Sequence, residues 1–266
     1  MPTLEWRVDG TPCRQISRHV GKCIYCGATE SLSREHIVPY GLGGGPQLRK
    51  GSCEACSTIT GRFEQVVLRG QFLLMRARAS LPTRDPDNRP KSFVFEVMKD
   101  GRSEAIELPT DECPISFIMP LFQSPRYLEE YDYKSGMAMI GLTGHGSRSD
   151  LKRLGHDLGI ESISYKDEQL GNNFGRLLAK IAYGFAVFEY GLGAFEECYV
   201  LPCILGVKDD AGYWVGNSER PVVSLPKERD LHRMQVGKRG NEVHSLIRLF
   251  ARFQTPEYRV VVGRLK

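Results

Sequence analysis

Two cysteine pairs bracket the decisive stretch: Cys23-Ile-Tyr-Cys26, then Leu32-Ser-Arg-Glu-His-Ile-Val-Pro39 and Tyr40-Gly-Leu-Gly-Gly-Gly45, then Cys53-Glu-Ala-Cys56. Zinc takes four tetrahedral ligands and favours thiolate in structural sites. Each C-x-x-C pair sets two sulfurs on one side of an ion, and the twenty-six residues between the pairs let the second pair close the shell. Cys23, Cys26, Cys53 and Cys56 are therefore expected to hold a structural zinc with no position open to substrate. Gly27, directly after the first pair, suits the tight turn of such a knuckle. A module of about sixty residues has too small a core to stand alone, and the metal would supply much of its folding free energy. Cysteines packed merely as small apolar side chains would not explain two paired spacings.

Outward from this stretch, charge is uneven. The net charge is +4, yet residues 1–90 carry thirteen Lys/Arg, eleven of them Arg, against eight Asp/Glu, and residues 91–266 carry twenty-three against twenty-four. The whole positive excess lies in the first third, where it would draw a polyanion. A solvated basic surface accounts for the same numbers equally well. Residues 1–20 hold Glu5, Arg7, Asp9, Arg14 and Arg18 and no apolar run, which predicts no secretory signal. The most apolar stretch, 177–195, contains Lys180 and Glu189. A membrane span would bury those charges at about 3 kcal/mol each, so the stretch reads as a core helix and the chain as a soluble, cytoplasmic protein without a membrane partner. Eight cysteines, four of them in C-x-x-C pairs, point to a reducing compartment.

The organisation is α+β, in two parts. Residues 1–84 form the zinc module, with a short strand at 4–8; residues 81–90, Leu-Pro-Thr-Arg-Asp-Pro-Asp-Asn-Arg-Pro, read as a linker or surface excursion. Residues 91–266 read as a mixed α+β domain, and the sequence assigns them no role. Strands at 92–97 and 103–108 flank Lys99-Asp-Gly-Arg102, a hairpin signal. A short helix is predicted at 147–158. A strong one is predicted at 172–191, where Leu177, Leu178, Ile181, Ala182, Phe185 and Phe188 recur at helical spacing. Residues 199–207, 243–253 and 258–265 read as strands, the last two joined across Gln254-Thr-Pro-Glu257. His145, His156, His19, His232 and His244 have no second ligand at metal spacing and read as loop or cap residues. Cys13, Cys113, Cys198 and Cys203 show no knuckle spacing.

Phosphodiester hydrolysis needs a base to deprotonate water and a cation to neutralise charge on the leaving oxygen. Imidazole is mostly neutral near pH 7, and a carboxylate is a hard ligand suited to Mg²⁺ or Mn²⁺. Neighbours on a strand point to opposite faces, so Glu35 and His36 serve one site only if the strand ends irregularly; Pro39 and the following glycines make such a turn. Taken alone, Glu35 reads as a surface ion-pair partner of Arg34, and His36 as a hydrogen-bonded core residue. The glycine run lacks a dinucleotide-binding spacing and reads as a flexible loop that lets a phosphate backbone approach. Arg62, Arg69 and Arg76, seven apart, would form one ridge on a helix that starts at Cys53 and continues through Arg78, or simply a solvated basic face.

The order of these features resembles the HNH, or ββα-metal, endonucleases: a cysteine pair, an acidic-His-Ile-x-Pro segment, a Gly-Gly loop, and a second cysteine pair opening a helix. The resemblance covers residues 22–70, about a fifth of the chain. The segment Phe174-Gly-Arg-Leu-Leu-Ala-Lys-Ile-Ala182 is also similar to the C-terminal part of some bacterial HNH-annotated proteins. The resemblance implies a divalent ion, Mg²⁺ or Mn²⁺, on Glu35, with His36 as general base. The chain departs from the pattern after the fourth cysteine: where junction-resolving members have Asn or His as a second ligand, it has Ser57, with Thr60 and Glu64 one and two turns along. Gln47 is the nearest match to the family's middle Asn.

The expectation is thus an endonuclease acting on nucleic acid, most readily DNA, one strand per site, with phosphates gripped by Arg34, Arg49, Lys50, Arg62 and Arg69. Two rivals stand beside it. One is a zinc-bound nucleic-acid-binding module with weak or no chemistry, which Ser57 favours. The other is an effector nuclease active only with a protein partner docked on residues 91–266.

Overall fold

A computed structural model of the chain describes residues 3–7, 17–164, 171–219 and 230–266. Cys13 and Val8 lie outside them. The fold is α+β.

The N-terminal elements are β1 (Thr3–Arg7), β2 (Ser17–His19), β3 (Leu32–His36), β4 (Gln47–Cys53), α1 (Glu54–Arg69) and α2 (Leu73–Arg78). β3 and β4 pair antiparallel, β2 adds to β4 in parallel, and β4 runs straight into α1, which makes a ββα unit. α1 buries Cys56, Thr60, Phe63 and Val67, the three- and four-residue spacing of a one-sided helix. The expected continuous helix through Arg78 is broken at Gly70, so Arg76 leaves the ridge. Its guanidinium donates instead to the carbonyls of Gly41 (2.7 Å) and Leu68 (2.8 Å), a structural brace.

The middle of the chain holds β5 (Ser92–Lys99), β6 (Arg102–Pro109), β7 (Ser116–Phe122), β8 (Met139–Gly146), α3 (Arg148–Leu158) and β9 (Ser162–Ser164). The β5–β6 hairpin forms as predicted, with Asp100 and Gly101 at positive φ in its turn. The Ser147 hydroxyl accepts from the Asp150 amide and caps α3. β7 and β8 pair with each other.

The C-terminal part contains α4 (Asn172–Tyr190), β10 (Phe195–Cys198), α5 (Leu201–Ile204), α6 (Ala211–Trp214), β11 (Val215–Asn217), β12 (Asp230–Arg239), β13 (Glu242–Leu249) and β14 (Tyr258–Leu265). The strand expected at 199–207 is instead the short α5, because Pro202 sits in its first turn, where a missing N–H costs nothing. The strand expected at 243–253 ends at Leu249 and gives way to a 3₁₀ turn. β1, β12, β13, β14 and β10 form one antiparallel sheet, with β11 beside β14. β1 thus belongs to the C-terminal sheet and not to the zinc module.

α4 is buried at almost every position from Phe174 to Val187 and is the axis of the core. The core runs across residues 85–90: Phe63, Val67 and Phe72 pack in one cluster with Phe174, Leu177 and Phe250. Phe72 lies edge-on to Phe174 (6.0 Å between centroids) and Phe250 (5.0 Å), so the two halves share their largest apolar contacts. Among the described residues no helix is long and apolar enough to cross a membrane.

Candidate active site

The sulfurs of Cys23, Cys26, Cys53 and Cys56 all lie within 4.8 Å of one another, and Cys26 Sγ is 3.6 Å from Cys53 Sγ. A zinc–sulfur bond of about 2.3 Å puts tetrahedral sulfurs about 3.8 Å apart, so the four residues fit a metal ion. Cys53 is the N-cap of α1, and the backbone N–H of Cys56, one turn in, pulls its thiol down to about 7, within easy reach of the thiolate that a metal binds. α4 holds the first knuckle: the Tyr183 hydroxyl donates to the Ile24 carbonyl at 2.6 Å.

β3 solves the problem of placing Glu35 and His36 together by an irregularity. Ser33 pairs with Ser52, but Glu35 pairs with Leu48, so β4 accommodates extra residues opposite one step of β3. Lys50 takes a positive φ in that bulge. A Cβ on Gly51 would lie 2.8 Å from Leu48 and 3.3 Å from the Glu35 side chain, so the bulge needs glycine there. Glu35 turns inward and is 6% exposed; His36, half-buried, follows it at the strand end. Both line one cavity of about 1260 Å³ that also takes in Ser57, Thr60, Glu64 and Lys180.

Lys180, the lone charge in the buried body of α4, is 1% exposed. Its ammonium lies 2.7 Å from Glu35 Oε1 and 3.0 Å from Glu64 Oε1, and it donates to the His36 carbonyl oxygen. Burial disfavours the ammonium, but the two carboxylates outweigh that and hold the Lys180 amine above its ordinary value. Burial raises the Glu64 carboxyl, against the pull of Lys180. The buried Tyr25 phenol is pushed far up, first by burial and then by the charges of Glu35 and Glu64. Burial, then the Lys180 charge, lowers His36, so its imidazole is neutral at pH 7.

As they stand, the donors offered to a divalent ion do not fit one. The near oxygens of Glu35 and Glu64 are taken by the Lys180 ammonium, a positive charge where the ion would sit, and the Ser57 hydroxyl, which donates to the Glu54 carbonyl at 2.9 Å, offers only a neutral, weak ligand oxygen.

The cavity wall is basic. Arg34, Arg62, Arg69 and Arg84 line it, are exposed, and make no ion pair among the described residues. Arg49 and Lys50 lie elsewhere, on a shallower recess of about 430 Å³ with His19, Ser33 and Arg34. The expected phosphate grip is therefore divided between two neighbouring surfaces that share Ser33 and Arg34. The glycine run departs from the open loop expected of it: Gly41, Gly44 and Gly45 are buried, and a Cβ on Gly41 would fall 2.7 Å from the Arg76 guanidinium.

The remaining histidines are placed by the fold rather than by loops. His19, His145, His232 and His244 are strand residues, and His156 ends α3. His232 is a core residue that accepts from the Phe250 amide and contacts the Leu42 carbonyl at 2.7 Å; burial lowers it to about 4. Lys180 and Arg84 are among the cavity residues that sequence reasoning did not place there. For Lys180 the signal is present: it lies among the apolar residues of the helix's core stripe, between Ala179 and Ile181, and a charge there must find partners when buried. No family model, curated protein or solved structure matches the chain.

Proposed function

We propose that the chain hydrolyses phosphodiester bonds of nucleic acid, DNA foremost, with His36 as general base. The observation that carries this reading is a neutral imidazole lining an arginine-walled cavity, on a strand end braced by a four-cysteine cluster. His36 would take a proton from a water molecule as its oxygen attacks phosphorus, and the leaving sugar oxygen would depart as it takes a proton from solvent water in the cavity. Arg34, Arg62, Arg69 and Arg84 would meet the phosphate charge. Zinc at the cysteines would hold β3 against α1 and take no part in chemistry. A divalent ion on Glu35 and Ser57, as the HNH resemblance implies, carries no step here, because the Lys180 ammonium already holds the Glu35 carboxylate. One site attacks one strand, so a monomer would nick.

The same pairing of Glu35 with Lys180 favours a second reading, a zinc-braced module that binds nucleic acid without cutting it. Conversion of supercoiled plasmid to the nicked form, assayed with zinc-loaded protein with and without Mg²⁺ or Mn²⁺, separates the two. Wild type is expected to nick and His36→Ala to lose cleavage while still binding. Because His36 is lowered, the rate should persist below pH 6.5 before protonation of the base removes it. Undiminished cleavage by His36→Ala rejects the assigned base, and binding without cleavage under every condition selects the second reading.

A further inference from the structure

We propose that Lys180 occupies the position between Glu35 and Glu64 that a divalent ion would take: its ammonium is the built-in cation of that pair, and the site excludes a second metal. As a statement about chemistry this rests on the hydrolysis proposed above, whereas as a statement about ion binding it stands by itself.

An ammonium has three N–H donors. Those of Lys180 have four acceptors within reach: Glu35 Oε1 at 2.7 Å, Glu64 Oε1 at 3.0 Å, the main-chain oxygen of His36 and, at 3.4 Å, that of Ile37. No donor is left for substrate, so Lys180 is a positioning residue. It draws together two carboxylates from β3 and α1, and it fixes the backbone of the residue that carries the imidazole. A Mg²⁺ or Mn²⁺ ion at the same carboxylates would need close oxygen ligands at about 2.0–2.2 Å and retained waters. It would have to displace the ammonium from all of these partners. Lys180 is 1% exposed, and α4 around it is buried at nearly every position from Phe174 to Val187, so the charge sits where its carboxylates are its main compensation. Expelled from its carboxylates, it would be an unpaired buried charge. The lysine comes from 144 residues beyond His36, so the C-terminal half, silent in the sequence, completes the site.

The test is binding of Mn²⁺ to zinc-loaded full-length protein, read by electron paramagnetic resonance and calorimetry, beside plasmid nicking. Wild type is expected to show no Mn²⁺ site that Glu35→Gln removes, and any nicking should be indifferent to added Mg²⁺. Lys180→Met is expected to gain one Mn²⁺ per chain, lost again in Lys180→Met/Glu35→Gln, and any residual cleavage should become dependent on the ion. Should Lys180→Met fail to fold, Lys180→Met/Glu64→Gln, with one carboxylate uncovered, replaces it in the same titration. A Glu35-dependent Mn²⁺ site in wild type overturns the proposal, as does a folded Lys180 variant that stays blind to Mn²⁺. If wild type nicks only with Mg²⁺ bound at Glu35, the nuclease reading stands and this inference falls. If nothing nicks but the Mn²⁺ results hold, the reverse is true.

Discussion

Replacing Lys180 by Met should destabilise the protein by about 3–5 kcal/mol at neutral pH, the usual cost of removing one partner from a buried ion pair. Methionine preserves most of the volume of the stem, so the loss isolates the charge. The side chains of Lys180, Glu35 and Glu64 are 1%, 7% and 20% exposed, which leaves little solvent to screen the orphaned carboxylates. Glu35, the more buried, should carry the larger share. Against a whole-domain stability of about 5–15 kcal/mol this is a major loss. Its pH dependence identifies the cause. Without the ammonium, burial is no longer opposed by a positive charge, and Glu64, already raised, goes higher above the ordinary value of about 4.3. A group raised in the folded state contributes stability at low pH and loses it as pH climbs through the folded value. The penalty is therefore full at pH 7.5 and shrinks on acidification as the two carboxyls protonate. Urea unfolding followed by circular dichroism at pH 7.5 and 5 measures it: the gap between wild type and variant should narrow at the lower pH. Adding Glu35→Gln to Lys180→Met should recover part of the loss. Equal midpoints at pH 7.5, or a gap that ignores pH, would refute a buried charge triad.

The purified chain should hold one zinc per molecule, and Cys56→Ala should lose it and melt earlier, since structural zinc contributes about 10–16 kcal/mol of apparent free energy in small zinc modules; full zinc content in that variant would remove the cysteine cluster from the argument. Tyr183→Phe deletes the 2.6 Å bond to the Ile24 carbonyl and should cost about 1–3 kcal/mol in chemical denaturation while leaving zinc stoichiometry unchanged, because it strips a partner from a buried carbonyl and none from the metal. Unaltered stability would show that α4 does not brace the knuckle through that hydroxyl.

The parts of the fold legible in the sequence are those whose signal is local. The β5–β6 hairpin follows from alternation around Asp100-Gly101, and α4 from apolar residues at helical spacing. β7 and β8 escaped because Pro120 interrupts one apolar run and Gly141, Gly144 and Gly146 punctuate the other, and such residues ordinarily argue against a strand. Residues 199–207 were misread because β-branched content suggests a strand while Pro202 is at home in a helix's first turn.

By itself the sequence determined the cysteine clip and the adjacency of an acid and an imidazole, because ligand spacing and chain order are covalent facts. Only the tertiary structure decided what that acid does. Whether Glu35 faces an ion or an ammonium depends on a bulge in β4 between Leu48 and Ser52 and on a lysine 145 positions away in sequence, brought in by the packing of α4. Burial of a charge is a property of the folded assembly, and its cost selects the partner: two carboxylates and a carbonyl that no local pattern joins.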